Sequence, residues 1–205
     1  MAITTYSELK TSIANWLNRD DLTSVIPDFI SLTESDVNRN VRHWRMEQRA
    51  TATLDARYTT LPTDFLEAVR FHLSVDQRPI ELLTPLALQM RRENNNDTQG
   101  KPQFYAIIAG QIEVWPTPDA SYTGELYYYS RTPALSDSNT TNWALTYFPD
   151  LYLYGSLSHS APYLVDDARI GTWAALYQNA TNGINSANDK AKFGGTGLRL
   201  QVNTY

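Results

Sequence analysis

The chain has 205 residues, 42% of them hydrophobic, which is enough for one domain with a sizeable core or for a domain with a large insertion. It contains no cysteine, and this excludes disulfides, thiolate catalysis and cysteine-ligated metal sites. The net charge of −5 disfavours binding to nucleic acid, because such binding depends on a surplus of cations.

Charged residues make up 19% of the chain, below the ~25% of an average soluble protein. A surface with so few charges suits packing against other protein. No apolar run approaches the ~18 residues of a membrane span, and the N-terminal residues lack the apolar core of a signal peptide. We therefore expect neither secretion nor a membrane anchor.

Two helices are predicted at the start of the chain. Thr5 and Glu8 fit a capping box, and apolar residues then recur at helical spacing over residues 6–18. A second apolar stripe predicts a helix from about Thr23 to Trp44, with Pro27 in its first turn.

The hydrophobic period then changes from helical to alternating. Strands are predicted at 47–54, 57–61, 67–76, 79–83, 103–109, 111–116 and 122–131. One short helix interrupts them, with Thr84 as its N-cap and Pro85 at its first position.

Helical signals return after Asp137. Asn142 is predicted to cap a short turn, Pro149 to open a helix, and Asp166 to begin a last long helix. A glycine-rich break follows at 194–197, and residues 198–202 then alternate with period two, which predicts a strand with no sequence-adjacent partner.

This order predicts an α+β fold. Residues 1–46 and 135–190 are expected to form a discontinuous helical bundle, because two terminal helices cannot bury their apolar stripes alone. Residues 47–134 are expected to form an inserted β-barrel or sandwich, and residues 191–205 an extended tail.

The sequence predicts no catalytic, metal or cofactor site. The three histidines, His43, His72 and His159, lack the spacing of a metal site, and no nucleophile elbow is present. The carboxylate pairs Glu34 with Asp36 and Glu113 with Glu125 fit a glycosidase acid and base only by residue type. Solvated helix and strand faces are the favoured interpretation of both pairs.

A basic stripe on the end of the second helix and beyond is one candidate binding feature. It comprises Arg39, Arg42, Arg45 and Arg49, at spacings of 3, 3 and 4. One interpretation is a solvent face paired with the nearby residues Glu34, Asp36 and Glu47, and the other is a salt-bridged contact to an acidic neighbouring subunit.

Aromatic residues of the β segment are the second candidate. They are Tyr105, Trp115, Tyr122 and the run from Tyr127 to Tyr129. Alternation places some of them in the core, and we expect Tyr128 among those that face outward. Outward aromatics anchor protein interfaces and sugar-binding platforms.

The chain from Thr5 to Phe193 resembles the head-to-tail adaptor proteins of tailed bacteriophages, also called connector or head-completion proteins. The resemblance rests on an ordered set of motifs. These are Tyr6-Ser7-Glu8-Leu9, Trp16-Leu17-Asn18-Arg19-Asp20-Asp21-Leu22, Ile26-Pro27-Asp28-Phe29-Ile30, Leu61-Pro62-Thr63-Asp64-Phe65-Leu66-Glu67, Trp115-Pro116-Thr117-Pro118, Tyr127-Tyr128-Tyr129, Asn142-Trp143, Pro149-Asp150-Leu151-Tyr152-Leu153-Tyr154-Gly155 and Ala161-Pro162-Tyr163-Leu164.

The resemblance implies a structural protein of the virion neck, made in the cytoplasm of the bacterial host. Such adaptors form a ring under the portal vertex, with twelve copies to match the portal, and they extend the DNA channel and receive the tail. The implied partners are the portal protein, a tail or nozzle protein and further copies of the chain, while DNA passes without sequence-specific binding. The alternative is a carbohydrate-binding module of a phage tail or cell-surface protein, and a peptidoglycan glycosidase is a third, weaker hypothesis.

Two surfaces follow if a ring exists. Residues 110–189 contain two Lys or Arg and eight Asp or Glu, so we expect acidic groups to line the channel and let DNA slide. The candidates are Glu113, Asp119, Glu125, Asp137, Asp166 and Asp167.

The predicted tail strand is expected to add to a sheet edge of another subunit, with portal as the expected receiver. Its contact residues would be Lys192, Leu198, Arg199, Leu200 and Val202.

Overall fold

In the computed structural model of the chain, which describes residues 3–75, 78–164 and 169–193, the first helix begins at the predicted capping box. The Thr5 hydroxyl accepts a hydrogen bond from the Glu8 N–H at 3.3 Å, and the Glu8 carboxylate accepts one from the Thr5 N–H at 3.0 Å. Hydrogen bonds from the Thr4 hydroxyl and amide lower the pKa of Glu8 to about 2. The helix, α1, spans Tyr6–Leu17.

The other helices are α2 (Ile26–Asn40), α3 (Pro85–Asn94), α4 (Trp143–Tyr147), α5 (Pro149–Ser160) and α6 (Ile170–Phe193), with a 3-10 helix at Trp44–Met46. The strands are β1 (Glu47–Leu54), β2 (Tyr58–Thr60), β3 (Phe65–Leu73), β4 (Glu81–Leu82), β5 (Phe104–Ile108), β6 (Gln111–Trp115) and β7 (Tyr122–Ser130). The predicted α+β class is thus confirmed. No helix in the described ranges is both long and apolar enough to cross a bilayer.

The chain divides into two compact units. One, called here the helical unit, is formed by Met1–Arg45 and Thr132–Tyr205, and the other, called the β unit, by Met46–Arg131. In the helical unit α5 contacts α1, α2, α4 and α6. It can do so because buried apolar or small side chains cover most of its circumference, as in any helix surrounded by others.

The β unit contains two sheets with a shared core. The first has the strand order β1-β7-β3 and is antiparallel throughout. The second has the order β2-β6-β5-β4, in which the two-residue strand β4 runs parallel to β5. Both sheets contribute to one cluster of buried side chains, which includes Leu54, Phe71, Tyr105, Val114 and Leu126.

Neither sheet closes into a barrel within the described residues. The two edge strands of each sheet do not pair with each other, so the described residues do not form the barrel that the sequence analysis allowed. The connection between the two sheets is short, since β1 ends at Leu54 and β2 begins at Tyr58.

The predicted end of the second helix is wrong. The helix stops at Asn40, and Val41 has an extended backbone. The Arg42 guanidinium donates to the carbonyl groups of Asn38 at 3.0 Å and of Val41 at 2.8 Å. Terminal carbonyls of a helix lack partners within the helix, so these bonds stabilise the stop.

The predicted outward position of Tyr128 is also wrong. The inward residues of β7 are Gly124, Leu126, Tyr128 and Ser130, and Tyr128 is buried in the core. Its hydroxyl donates to the Asp64 carboxylate at 2.9 Å, which gives the buried phenol a polar partner. The alternation was therefore predicted correctly and its phase was not.

Candidate functional site

The four arginines of the predicted stripe do not lie on one helix face, because α2 ends before three of them. Arg39 lies on α2 and pairs with Asp36, whereas Arg42 caps the helix. Arg49 lies on β1 and pairs with Glu125 at 3.0 Å. The continuous stripe is therefore a wrong prediction, and Arg45 has surroundings of its own, described below.

Glu113 cannot line a channel. It is buried in the β unit, where its carboxylate accepts hydrogen bonds from Arg57 at 2.7 Å and from Arg92 at 3.0 Å. A carboxylate enclosed by its own chain stays enclosed in any assembly. This member of the acidic set is thus corrected to a structural ion pair.

The other candidate acids differ in their surroundings. Asp119 accepts a hydrogen bond from the Tyr122 hydroxyl at 2.7 Å. Glu125 also accepts one from the Ser74 hydroxyl at 2.8 Å, and this bond lowers its pKa. Asp137 pairs with Lys10 at 3.0 Å and its side chain is 90% exposed. Two more candidates, Asp166 and Asp167, lie outside the described residues.

One residue assigned to the predicted tail is helical. Lys192, assigned to the tail, lies in the last turn of α6. The remaining tail residues Leu198, Arg199, Leu200 and Val202 lie outside the described residues, so their docking stays a prediction.

The aromatic residues of the β unit do not form an open platform. Tyr105, Trp115 and Tyr128 are buried. Tyr127 is exposed and stacks on His72, with ring centroids 5.9 Å apart. Sugar binding was suggested by a group of outward aromatic rings. The structure shows single exposed rings instead of such a group.

Glu34 and Asp36, one of the carboxylate pairs considered for glycosidase chemistry, bond to different groups of the protein. Glu34 is buried and accepts hydrogen bonds from the Leu135 N–H at 2.7 Å and the Tyr152 hydroxyl at 3.3 Å. Burial raises the pKa of Glu34. Asp36 instead bonds His159 at 2.8 Å. Among the described residues, no group of three or more His, Asp or Glu side chains has the arrangement of a metal site.

Trp44, Arg45 and Tyr147 form a cation–aromatic surface on the helical unit, called here the WRY surface. The Arg45 guanidinium lies 3.7 Å from the centroid of the Tyr147 ring and 4.4 Å from that of Trp44. Trp44 is 44% exposed and Tyr147 is 53% exposed. No carboxylate in the described part of the chain pairs with Arg45. Trp, Tyr and Arg are the residues most enriched in interface hot spots.

Side chains from distant parts of the chain hold this surface in place. The backbone N–H of Trp44 donates to the Asn188 side chain at 2.8 Å, and that of Arg42 donates to Asn185 at 3.3 Å. The buried ring of His43 stacks on Trp143 at 5.3 Å with an interplanar angle of 8°. The segment between α2 and the 3-10 helix is thus fixed by asparagines of α6 and by an aromatic stack.

The sequence analysis missed the WRY surface as a unit. It ended the second helix at Trp44, assigned Arg45 to the basic stripe and gave Tyr147 no role. The adjacent Trp and Arg were the available signal, because both residue types are enriched at interfaces.

Comparison with known proteins identifies a family. The family model described as SU10 adaptor protein matches residues 4–199, which is nearly the whole chain. A search of curated proteins finds no match.

Proposed function

The chain belongs to the SU10 adaptor protein family, a family of phage adaptor proteins, and from this premise we propose that it forms a ring between the portal vertex and the tail. In the neck of the virion this ring extends the DNA channel and serves genome retention and ejection. The ring has twelve copies to match the portal, and the chain contributes structure and no enzymatic step.

The family match carries this proposal, because it spans both the helical unit and the β unit. The WRY surface supports it independently. Three residues of the hot-spot types lie together, both aromatic rings are exposed, and buried side chains hold the segment, which is the composition expected for a contact with another protein.

The acidic balance of the chain supports passage of DNA without binding. A ring repeats the charge of each copy around the channel, and acidic or neutral groups repel a polyanion where lysines and arginines would hold it. With Glu113 removed from the set, the exposed described candidates are Asp119 and Asp137. We expect Asp137 or Asp119, rather than the arginines, to be found at the lumen.

Mixing the protein with the portal of its phage tests the proposal. Negative-stain images and mass measurement should give portal rings that carry one adaptor ring with the same number of copies. A monomer that ignores portal and binds oligosaccharides would instead favour the carbohydrate-binding alternative. Lysis of cell wall that a single carboxylate substitution abolishes would favour an enzyme.

A further inference from the structure

The strand β1 is an open edge of the β unit. It pairs with β7 in unbroken register from Glu47 opposite Tyr129 to Leu54 opposite Tyr122, and no described strand pairs with its other side. The other three edge strands in the described residues are blunted. β2 has three residues and β4 has two, and β3 contains two register shifts. Short strands and bulges are the usual protection of sheet edges.

The composition of β1 also leaves its edge unprotected. Edge strands are commonly guarded by lysine, proline or inward charges. The middle of β1 is Ala50-Thr51-Ala52-Thr53, which carries no charge and no proline. The charge of the preceding Arg49 is paired with Glu125 on β7. This edge therefore has the features of a template for an added strand.

An apolar cavity lies beside this edge. Ala50, Ala52 and Leu54 are inward residues of β1, and the small side chains of the two alanines leave a cavity of about 210 Å³ lined by residues of β1, β2 and the core. The core contributes Leu61, Phe71 and Leu126 to the lining. For scale, an apolar protein cavity of roughly 150 Å³ holds a benzene molecule. The cavity thus has room for aliphatic side chains of a strand added at β1.

One segment of the same chain fits this edge by its sequence. Residues 194–205 lie outside the described residues and contain the alternating run 198–202, with Leu198, Leu200 and Val202 on one face. We propose that residues 198–202 of a second copy of this chain add a strand to β1. The three aliphatic side chains then point toward the cavity, while Arg199 and Gln201 point to the opposite face of the sheet.

This inference rests on the proposed function only in that a ring brings copies together. Backbone hydrogen bonds along β1 supply affinity, and the cavity selects the alternating aliphatic face. The contact is head-to-tail, because the tail of one copy meets the edge of the next, and such contacts generate rings when the rotation closes. The sequence analysis expected portal as the receiver of this tail, whereas the β1 edge offers a receiver in the chain itself.

Cross-linking tests the pairing directly, because the chain has no cysteine of its own. Full-length protein with Gln201→Cys is mixed with full-length protein carrying Thr51→Cys or Thr53→Cys, and the mixture is oxidised without portal. Neighbouring strands bring opposite Cα atoms to about 4.5–5.5 Å, within the range that a disulfide spans. We expect covalent heterodimers with at least one of the two β1 positions.

The matched control places the cysteine on β3 instead. Val69 is exposed on that strand, and Val69→Cys should give no heterodimer with Gln201→Cys. Equal cross-linking from Val69 and from β1 would overturn the proposal. So would an intrachain link without heterodimers in the double variants Thr51→Cys with Gln201→Cys and Thr53→Cys with Gln201→Cys.

A peptide experiment tests the cavity. The receiver is the full chain with its own tail disabled by Leu198→Asp and Leu200→Asp, and the probe is a fluorescent peptide of residues 194–205. Adding Ala52→Leu, which fills the cavity, should weaken peptide binding at least tenfold, whereas the outward substitution Thr53→Ser should leave it unchanged. An unchanged affinity in a folded Ala52→Leu protein would overturn the proposal. Neither experiment uses portal, so failure of the adaptor ring and failure of this contact are distinguishable.

Discussion

The carboxylate of Glu34 on α2 accepts a hydrogen bond at 2.7 Å from the backbone N–H of Leu135, which lies 101 positions later in the chain. Close by, the Asn38 side chain accepts one from the Thr132 N–H at 2.9 Å. The β unit occupies the residues between these two segments. Side chains of α2 therefore form hydrogen bonds with the backbone where the chain re-enters the helical unit. This unit is completed across an insertion of more than eighty residues.

Removing the Glu34 acceptor should destabilise the protein. In Glu34→Ala the buried Leu135 N–H and Tyr152 hydroxyl lose a partner, and each buried unsatisfied group costs about 1–3 kcal/mol. Glu34→Gln keeps a carbonyl oxygen for the same donors and removes a charge from a buried site. Urea unfolding should show a loss of free energy of unfolding for the alanine variant that is clearly larger than for the glutamine variant. Equal losses would contradict the role given to this acceptor.

Glu113 should matter far more for stability than Glu125. Glu113→Gln removes the buried carboxylate that pairs with Arg92, whose other carboxylate partner is the exposed Asp97, and breaking a buried pair from one side costs about 3–5 kcal/mol. Glu125→Gln, the matched control, weakens a pair whose Arg49 side chain is 56% exposed, and exposed pairs contribute about 1 kcal/mol or less. The free energy of unfolding measured in urea should separate the two variants. Similar losses would mean that Glu113 is not a structural ion pair.

Local patterns predicted most of the regular elements. The bounds of β1, residues 47–54, are those expected from alternation, and the capping box placed the start of α1. These signals are contained in a few neighbouring residues, so no knowledge of tertiary structure was needed. The division into a discontinuous helical domain and an inserted β domain stays a prediction.

Features set by distant residues were not predictable in this way. The path of the chain after α2 depends on Asn185, which accepts a hydrogen bond from the Arg42 N–H, and the position of Trp44 depends on Asn188, which lies 144 positions later. The phase of β7 is set by the face that packs in the core of the β unit, where Asp64 accepts the hydrogen bond of the buried Tyr128 hydroxyl. The prediction that Glu113 lines a channel failed for the same reason, since a sequence pattern indicates an exposed strand residue until Arg57 and Arg92 are placed around it.

His43 should make the protein less stable as the pH falls. Burial lowers its pKa below the ordinary value of 6.5, and the positive charges of Arg45 and Lys192 act in the same direction. A lowered pKa in the folded state means that the stabilising contribution is present above pH 6.5 and is lost as the pH falls below it. In His43→Phe, which retains an aromatic ring against Trp143, the loss of stability between about pH 7.5 and about pH 5 should be smaller. An identical pH slope in both proteins would contradict this contribution.

If the adaptor ring forms, the WRY surface should contribute much of its affinity for a neighbouring protein. Substitution of hot-spot residues by alanine typically costs about 2 kcal/mol or more, which corresponds to roughly 30-fold in affinity. Arg45→Ala and Tyr147→Ala should therefore weaken attachment to portal by about this factor, as measured by biolayer interferometry. Tyr163, 56% exposed on the same unit, provides the control, and Tyr163→Ala should have little effect. Equal effects of all three would show that general surface apolarity, and not this cluster, determines attachment.

Two glycines of the helical unit should respond to alanine with opposite signs. A Cβ at Gly155 on α5 would lie 3.0 Å from the Thr33 hydroxyl oxygen and 3.0 Å from a ring carbon of Tyr177. Thr33 cannot move away freely, because its hydroxyl donates to the Phe29 carbonyl at 2.9 Å.

Gly155→Ala should therefore lower the free energy of unfolding by about 1–3 kcal/mol, the usual effect of overpacking. Gly183 on α6 is the matched control, since a Cβ there meets no atom within 4 Å. Gly183→Ala should raise stability by up to about 1 kcal/mol, because alanine has the higher helix propensity. Urea unfolding of both variants measures the two changes in the free energy of unfolding. A loss of stability in Gly183→Ala equal to that in Gly155→Ala would refute the close approach of α5 to α2 and α6.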